Sequence, residues 1–253
     1  MSRQTRALLL QVSVVAITLL SGCASLPDST ERDPRDRLEP YNRAVFRFNQ
    51  ALDRTVARPI AVGYTKITPR PVRLGVSNFL ANFSYPVVVV NDLLQAKPAP
   101  FARDTARFLV NTTVGIGGLF DPATSWGLEA NNEDLGQTFG RWGVPPGTYL
   151  MLPILGPATV RDGIGEVGDL FLEPRTYISN SNVSLGLTGL DLVDTRAGLL
   201  DTDAVLNGVF DPYAFVRNTY LQRREYLVHD GNVSDDEPVD ESDVPPGEMA
   251  RPQ

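Results

Sequence analysis

The chain has 253 residues, with 30 acids against 23 lysines and arginines, a formal net charge of −7, one histidine and one cysteine. A Ser-His-Asp site would need His229, at the edge of an acidic terminus; no internal disulfide can form; and a metal would have to be held by carboxylates alone. From Asp230 onward eight acids face one base, which leaves residues 23–229 with 22 acids and 20 bases, a balance without the basic face that nucleic acid demands.

Arg3 and Arg6, the apolar run Ala7 to Leu20 and the small residues before Cys23 make the three parts of a secretory signal. The run is shorter than the roughly 18–20 residues that span a bilayer. Leu20-Ser21-Gly22-Cys23 resembles the lipobox of bacterial lipoproteins, whose cysteine is acylated after cleavage. The alternative, an ordinary signal followed by a buried thiol, leaves the small residues before Cys23 unexplained. Ala24 rather than Asp follows the cysteine, which by resemblance to proteobacterial lipoproteins implies sorting to the outer membrane. The expected segments are a signal over 1–22, a lipidated tether over 23–38, a helical domain over 39–229 and an acidic, disordered tail over 230–253.

Glycine and proline together make 41 residues, so helices should be short and punctuated. Glu39-Pro40 opens the first, with Tyr41, Val45, Phe48, Leu52 and Val56 as one apolar stripe, and Pro59 should end it. Its plainest reading is a surface helix of a globular domain. Val72 to Phe83 and residues 86–95 follow as two separate helices, and Phe101 to Val114 as another. Leu135 to Tyr149, with four glycines and two prolines, reads as a shaped loop. Tyr149 to Pro157 is strongly apolar but interrupted by Pro153 and Gly156. Leu190 to Leu200 and Asp211-Pro212 to His229 read as helices.

Catalytic motifs are weak. Gly163-x-Gly165-x-x-Gly168 has dinucleotide-fingerprint spacing, but Pro157 and Arg161-Asp162 precede it and no alternation of strands and helices surrounds it, so a turn-rich segment is expected. Glu129, Glu133, Asp134 and Asp162 offer carboxylates without singling out a pair. No stretch after Cys23 has 18 apolar residues in a row, so any entry into lipid is partial. An acylated chain with amphipathic helices and glycine-rich loops reads as an outer-membrane lipoprotein, partly embedded, and not an enzyme.

From Asp36-Arg37-Leu38-Glu39-Pro40-Tyr41-Asn42-Arg43 the chain resembles the MlaA family, also called VacJ. The resemblance continues through Asn49 to Asp53, Arg58-Pro59, Ser77-Asn78-Phe79, Arg107-Phe108 and Asn111-Thr112. It sharpens at Glu133-Asp134-Leu135-Gly136-Gln137-Thr138, Gly140-x-x-Gly143 and Arg161-Asp162, and returns at Asp194-Thr195-Arg196-Ala197 and Asp211-Pro212-Tyr213. Arg37 stands where a proline is usual, and Pro145-Pro146 lie in a loop usually richer in glycine. The resemblance implies a mainly α, single-domain ring of short amphipathic helices, partly embedded in the membrane, with Gly/Pro-rich loops. It implies phospholipid as cargo and no cofactor beyond the acyl chains on Cys23. The implied partners are a trimeric outer-membrane porin, a soluble MlaC-like periplasmic carrier and membrane phospholipids. It places the lipid path along Asn42, Phe48, Asn49, Arg161, Asp162 and Arg196, and a hinge loop at Gly143, Pro145, Pro146 and Gly147. The competing structural reading pairs Arg161 with the neighbourhood of Asp162, and Arg196 with Asp194. Two other functions compete: a lipid hydrolase, and a structural lipoprotein that scaffolds porins or the cell wall.

Overall fold

A computed structural model describes residues 33–232. The signal, Cys23, the tether up to residue 32 and the tail from residue 233 lie outside the described residues. The compact body begins at Arg35. Asp36, expected within the tether, is instead buried in that body, where it accepts hydrogen bonds from Asn42 Nδ2 at 2.8 Å, Arg217 Nη1 at 3.1 Å and the Tyr213 hydroxyl.

The first helix, α1 (Glu39–Leu52), does not stop before Pro59. It widens into a π-helical turn over Asp53–Ala57, where the Arg58 N–H reaches back to the Asp53 carbonyl, and continues as α2 (Arg58–Ile67). A proline offers no N–H to the preceding turn, and the wider turn absorbs that loss without ending the helix. The two helices expected on either side of Pro86 are likewise one, α3 (Arg70–Leu94). Tertiary ties hold it on both sides of the proline: Asn82 Nδ2 donates to Thr112 Oγ1 at 3.0 Å and Asn91 Nδ2 to Asp169 Oδ1 at 3.1 Å. The four-valine run therefore stays helical against its β propensity.

Helix α4 spans Pro98–Thr113, with both prolines of Lys97-Pro98-Ala99-Pro100 in its first turn, and the one-turn α5 spans Pro122–Ser125. The loop expected from Leu135 to Tyr149 is half wrong, since Leu135–Arg141 forms a helix, α6. Asp134 caps it, accepting the Gln137 N–H at 2.8 Å. Its glycines serve contact rather than disorder: a Cβ on Gly165 would sit 2.4 Å from the Gly136 nitrogen, so two helices meet backbone to backbone.

Strands β1 (Tyr149–Leu152) and β2 (Gly156–Thr159) form an antiparallel hairpin in register Tyr149↔Thr159, with Ile154 and Gly156 at positive φ in the turn. Thr159 then caps α7 (Val160–Asp169), which contains the whole Gly163-to-Gly168 spacing. That segment is helical rather than turn-rich, and no nucleotide loop exists there. Helix α8 (Ser181–Gly198) starts well before the expected Leu190 because Asn180 caps it; α9 spans Asp203–Gly208, and α10 spans Pro212–Val228.

Contacts between these elements close a circuit, running α1, β1, β2, α7, α6, α3, α8, α2 and back through the π turn to α1. The apolar core is small: Tyr149, Met151 and Tyr213, with Val45, Phe46, Val216, Tyr220 and Leu221 against them. Edge-on ring contacts hold it, Tyr149 to Tyr213 at 6.3 Å and Tyr149 to Tyr220 at 6.2 Å.

The rest is inverted relative to a water-soluble domain. Asn42, Asn91, Asp92, Asp104 and Thr138 are fully buried, while Phe48, Ile67, Leu155, Phe171 and Phe210 are exposed. The apolar stripe is split: Tyr41 and Phe48 on α1 and Val56 in the π turn are exposed, Val45 packs on the core, and Asn42 is buried. A globular surface helix would turn the whole stripe inward, so that plain reading holds only in part. Among the described residues no helix is long and apolar enough to cross a membrane.

Candidate functional site

Three polar assemblies join elements of the circuit. In the first, Asn42 and Asn49, two turns apart on α1, act as an extra edge for the hairpin. Asn42 donates to the Tyr149 carbonyl at 3.0 Å and accepts the Met151 N–H at 2.8 Å. Asn49 donates to the Leu152 carbonyl at 2.9 Å and accepts the Ile154 N–H at 2.8 Å. Four backbone groups along one edge of β1 and its turn are satisfied this way, as burial requires. Phe48, between them in sequence, points outward and is exposed.

The second assembly joins α6, α7 and α10. Arg224 grips Asp134 with both terminal nitrogens and reaches Asp162 Oδ1 at 2.9 Å; the Tyr220 hydroxyl donates to Asp162 Oδ2 at 2.8 Å, and Arg161 Nε to Asp162 Oδ1 at 3.1 Å. Burial is the largest influence on Asp134 and Asp162 and opposes their ionisation, but Arg224 together with hydrogen bonds from Gln137 to Asp134, and with Thr159, Tyr220 and Arg161 around Asp162, holds both carboxyls below the ordinary range. Arg161 thus pairs with Asp162 itself. Its backbone N–H donates to the Pro146 carbonyl at 3.1 Å, which ties the loop over residues 142–148 to α7. In that loop Gly143 and Gly147 both adopt positive φ, +86° and +72°. Pro145 and Pro146 between them are exposed.

The third assembly opens to a cleft of about 570 Å³. Arg196 on α8 donates to Asp53 through Nε at 2.6 Å and Nη2 at 2.9 Å, and to Asp203 through Nη2 at 2.9 Å. Arg58 Nε donates to the other Asp203 oxygen at 2.9 Å. The Asp53 hydrogen bonds raise the Arg196 pKa beyond its ordinary range. Burial works against ionisation of Asp203, but its two arginines hold the carboxyl below the ordinary range. Phe46, Asn49, Arg54, Leu199 and Leu206 complete the amphipathic wall. The π turn sets this geometry, placing Asp53 and Arg54 on the cleft while returning Arg58 to face α9.

The pairing of Arg196 with Asp194 is not found. Asp194 instead accepts the Tyr64 hydroxyl at 3.0 Å and the Ser77 hydroxyl at 2.5 Å. Of the six residues expected along one path, Asn49 and Arg196 share the cleft. Asn42, Arg161 and Asp162 are buried in the other two assemblies, and Phe48 lies outside. The sequence does not single out Asp53, Arg58 and Asp203 as cleft residues, although Asp53 and Arg58 lie in the family-like patches Asn49 to Asp53 and Arg58-Pro59. Their meeting brings together Arg58 and Asp203, 145 positions apart in the chain. A second cleft of about 540 Å³, lined by Val87, Asp134, Glu166, Asp169, Arg175 and Thr188 among others, lies further toward the N-terminus of α8. Among the described residues no group of His, Cys, Asp and Glu has metal-site geometry.

The family model described as MlaA lipoprotein matches residues 34–227. The Escherichia coli K12 protein named intermembrane phospholipid transport system lipoprotein MlaA is 37% identical over 90% of this chain and 92% of its own length. The Haemophilus influenzae protein of the same name is 33% identical over 87% of this chain and 90% of its own. A solved structure from work on the structural basis for maintenance of bacterial outer membrane lipid asymmetry matches with a TM-score of 0.70 at 36% identity, over 78% of this chain and all of the other. Fold, inverted burial and similarity agree: the chain belongs to the MlaA lipoprotein family.

Proposed function

We propose that this protein is an outer-membrane lipoprotein, held by acyl chains on Cys23, that takes mislocalised phospholipid from the outer leaflet and passes it toward a soluble periplasmic carrier, working beside a trimeric porin. The observation that carries this reading is the inverted burial: Asn42, Asn91, Asp92 and Asp104 are buried while Phe48, Leu155, Phe171 and other large apolar residues are exposed. An apolar exterior suits a body lodged in acyl chains, and an amphipathic cleft offers a headgroup a route that avoids the hydrocarbon. Several acyl chains at about 0.8 kcal/mol per buried CH₂ hold the anchor firmly. The work is displacement of lipid rather than bond cleavage, so the protein acts as a carrier component and not as an enzyme.

The test is the amount of phospholipid in the outer leaflet of cells lacking the protein, with lysolipid counted in the same samples. The expected result is a rise on deletion, reversed by the intact chain, with no change in lysolipid. Unchanged exposure would leave a structural scaffold as the better reading, and altered lysolipid would favour a hydrolase.

A further inference from the structure

The charge and hydrogen bonding of the cleft between α1, the π turn, α8 and α9 do not balance. Its wall carries Arg54, Arg58 and Arg196 against Asp53 and Asp203, an excess of one positive charge. The two aspartates are fully engaged, accepting from Arg196 and Arg58. Arg54 is exposed and forms no ion pair among the described residues. Arg196 Nη1 is buried yet donates to no atom of the protein, although Nε and Nη2 of the same guanidinium are used. That nitrogen has almost no accessible surface, so Arg54 and the terminal nitrogens of Arg58, both exposed, are the donors that a ligand entering the cleft can reach. Beside these donors stand Phe46, Leu199 and Leu206, which offer apolar contact within the same cleft.

We propose that this cleft is a station for the phosphodiester of a lipid headgroup, with Arg54 and Arg58 as the phosphate-binding donors. One phosphodiester charge neutralises the excess of the wall. Arginine suits the task because its planar fork matches two phosphate oxygens at once. The Asp53 and Asp203 carboxylates act as positioning residues: they hold the guanidinium of Arg196, and Asp203 takes Nε of Arg58 and leaves its terminal nitrogens for the ligand. The apolar wall takes the first carbons of the acyl chains, so a lipid phosphate is favoured over a free one. This inference rests on the phospholipid-carrying role and names the part of the lipid that the protein grips.

The test uses purified full-length protein in detergent and measures binding of dihexanoylphosphatidylglycerol, dihexanoylglycerol and inorganic phosphate by calorimetry. The phosphatidylglycerol probe should bind at least tenfold more tightly than either other probe. Arg54→Gln and Arg58→Gln should each weaken it by about tenfold, and Arg54→Gln should leave the melting temperature unchanged because Arg54 has no partner to lose. Equal binding of dihexanoylglycerol, equal binding of inorganic phosphate, or full affinity in the Arg54→Gln, Arg58→Gln double variant would overturn the station. The readouts separate the two claims: unchanged outer-leaflet phospholipid on deletion counts against the transport reading, whereas unchanged binding in the variants counts against the cleft alone.

Discussion

Asp92 sits on α3 with no solvent exposure and with neither carboxyl oxygen reached by a donor. Around it stand Asp104 on α4, Glu133 before α6 and Lys97 between the helices; Tyr85 donates to Asp104 at 2.7 Å, and Arg103 lies 3.3 Å from it. Burial first, then a hydrogen bond between its protonated carboxyl and Asp104, and then repulsion from Asp104 and Glu133 push the Asp92 pKa up to about 7, against the pull of Lys97. Folding therefore takes up a proton at neutral pH. The stabilising share of this group is complete below the unfolded carboxyl pKa near 4 and is lost as pH rises through about 7. Asp92→Asn should raise the melting temperature at pH 8 by roughly 2–8 °C and change it little at pH 4. A shift of equal size at both pH values would mean that the carboxyl charge is not the cause. The sequence shows Asp92 only as the polar end of Val87-Val88-Val89-Val90-Asn91-Asp92. Its burial against Asp104 comes from the long-range packing of α3 on α4.

Glycine-rich stretches have two different uses among the helices and loops. On α7, Gly165 has no room for a side chain, while Gly163 has nothing within 4 Å of where a Cβ would be. Gly165→Ala should therefore push α6 from α7 and cost several kcal/mol, of the order seen for overpacked cores. Gly163→Ala should stabilise by about 0.5–1 kcal/mol through helix propensity. Chemical unfolding of both variants checks the contrast, and similar midpoints would remove the proposed helix contact. The loop glycines act through the backbone instead. Gly143 has open space but a φ of +86°, and Gly147 combines a φ of +72° with Val160 Cβ at 3.1 Å. Gly143→Val should cost about 1–3 kcal/mol of local strain, leave the fold intact and impair outer-leaflet clearance. Normal clearance in a folded Gly143→Val protein would argue against a moving loop. Composition correctly marked residues 142–148 as a shaped loop. It missed α6, because a glycine needed for close helix packing and a glycine needed for a turn look the same in one sequence.

Among the described residues many large apolar side chains are exposed while Asp36, Asp92, Asp104 and Asp162 are buried. Cys23→Ala should remove the acyl anchor, leaving uncleaved or soluble material on membrane fractionation; a normal membrane fraction from that variant would remove Cys23 as the anchor. The hairpin tip offers a second check on the same surface, since Ile154 and Leu155 are 64% and 68% exposed. Replacing both with Asp should weaken association with phospholipid vesicles while sparing the melting temperature, because neither side chain packs in the core. Equal vesicle binding would show that this tip does not enter lipid. The amphipathic pattern of α1 was legible from Tyr41, Val45, Phe48 and Leu52. Which face turned inward was not, since periodicity identifies an apolar face but not the medium that covers it.

The sequence by itself determined the helical class, the signal-like segment with its single cysteine, the poverty of catalytic side chains and, through ordered motif patches, the family. These are local or compositional properties that each short stretch carries alone. Only the tertiary structure decided that helices run on past Pro59 and Pro86 and that Asn42 and Asn49 clasp a hairpin more than a hundred residues away. It likewise gathered Asp53, Arg58, Arg196 and Asp203 at one cleft. A proline is tolerated, a polar residue buried or an arginine held only when distant chain supplies the missing partner, and that supply is settled by packing.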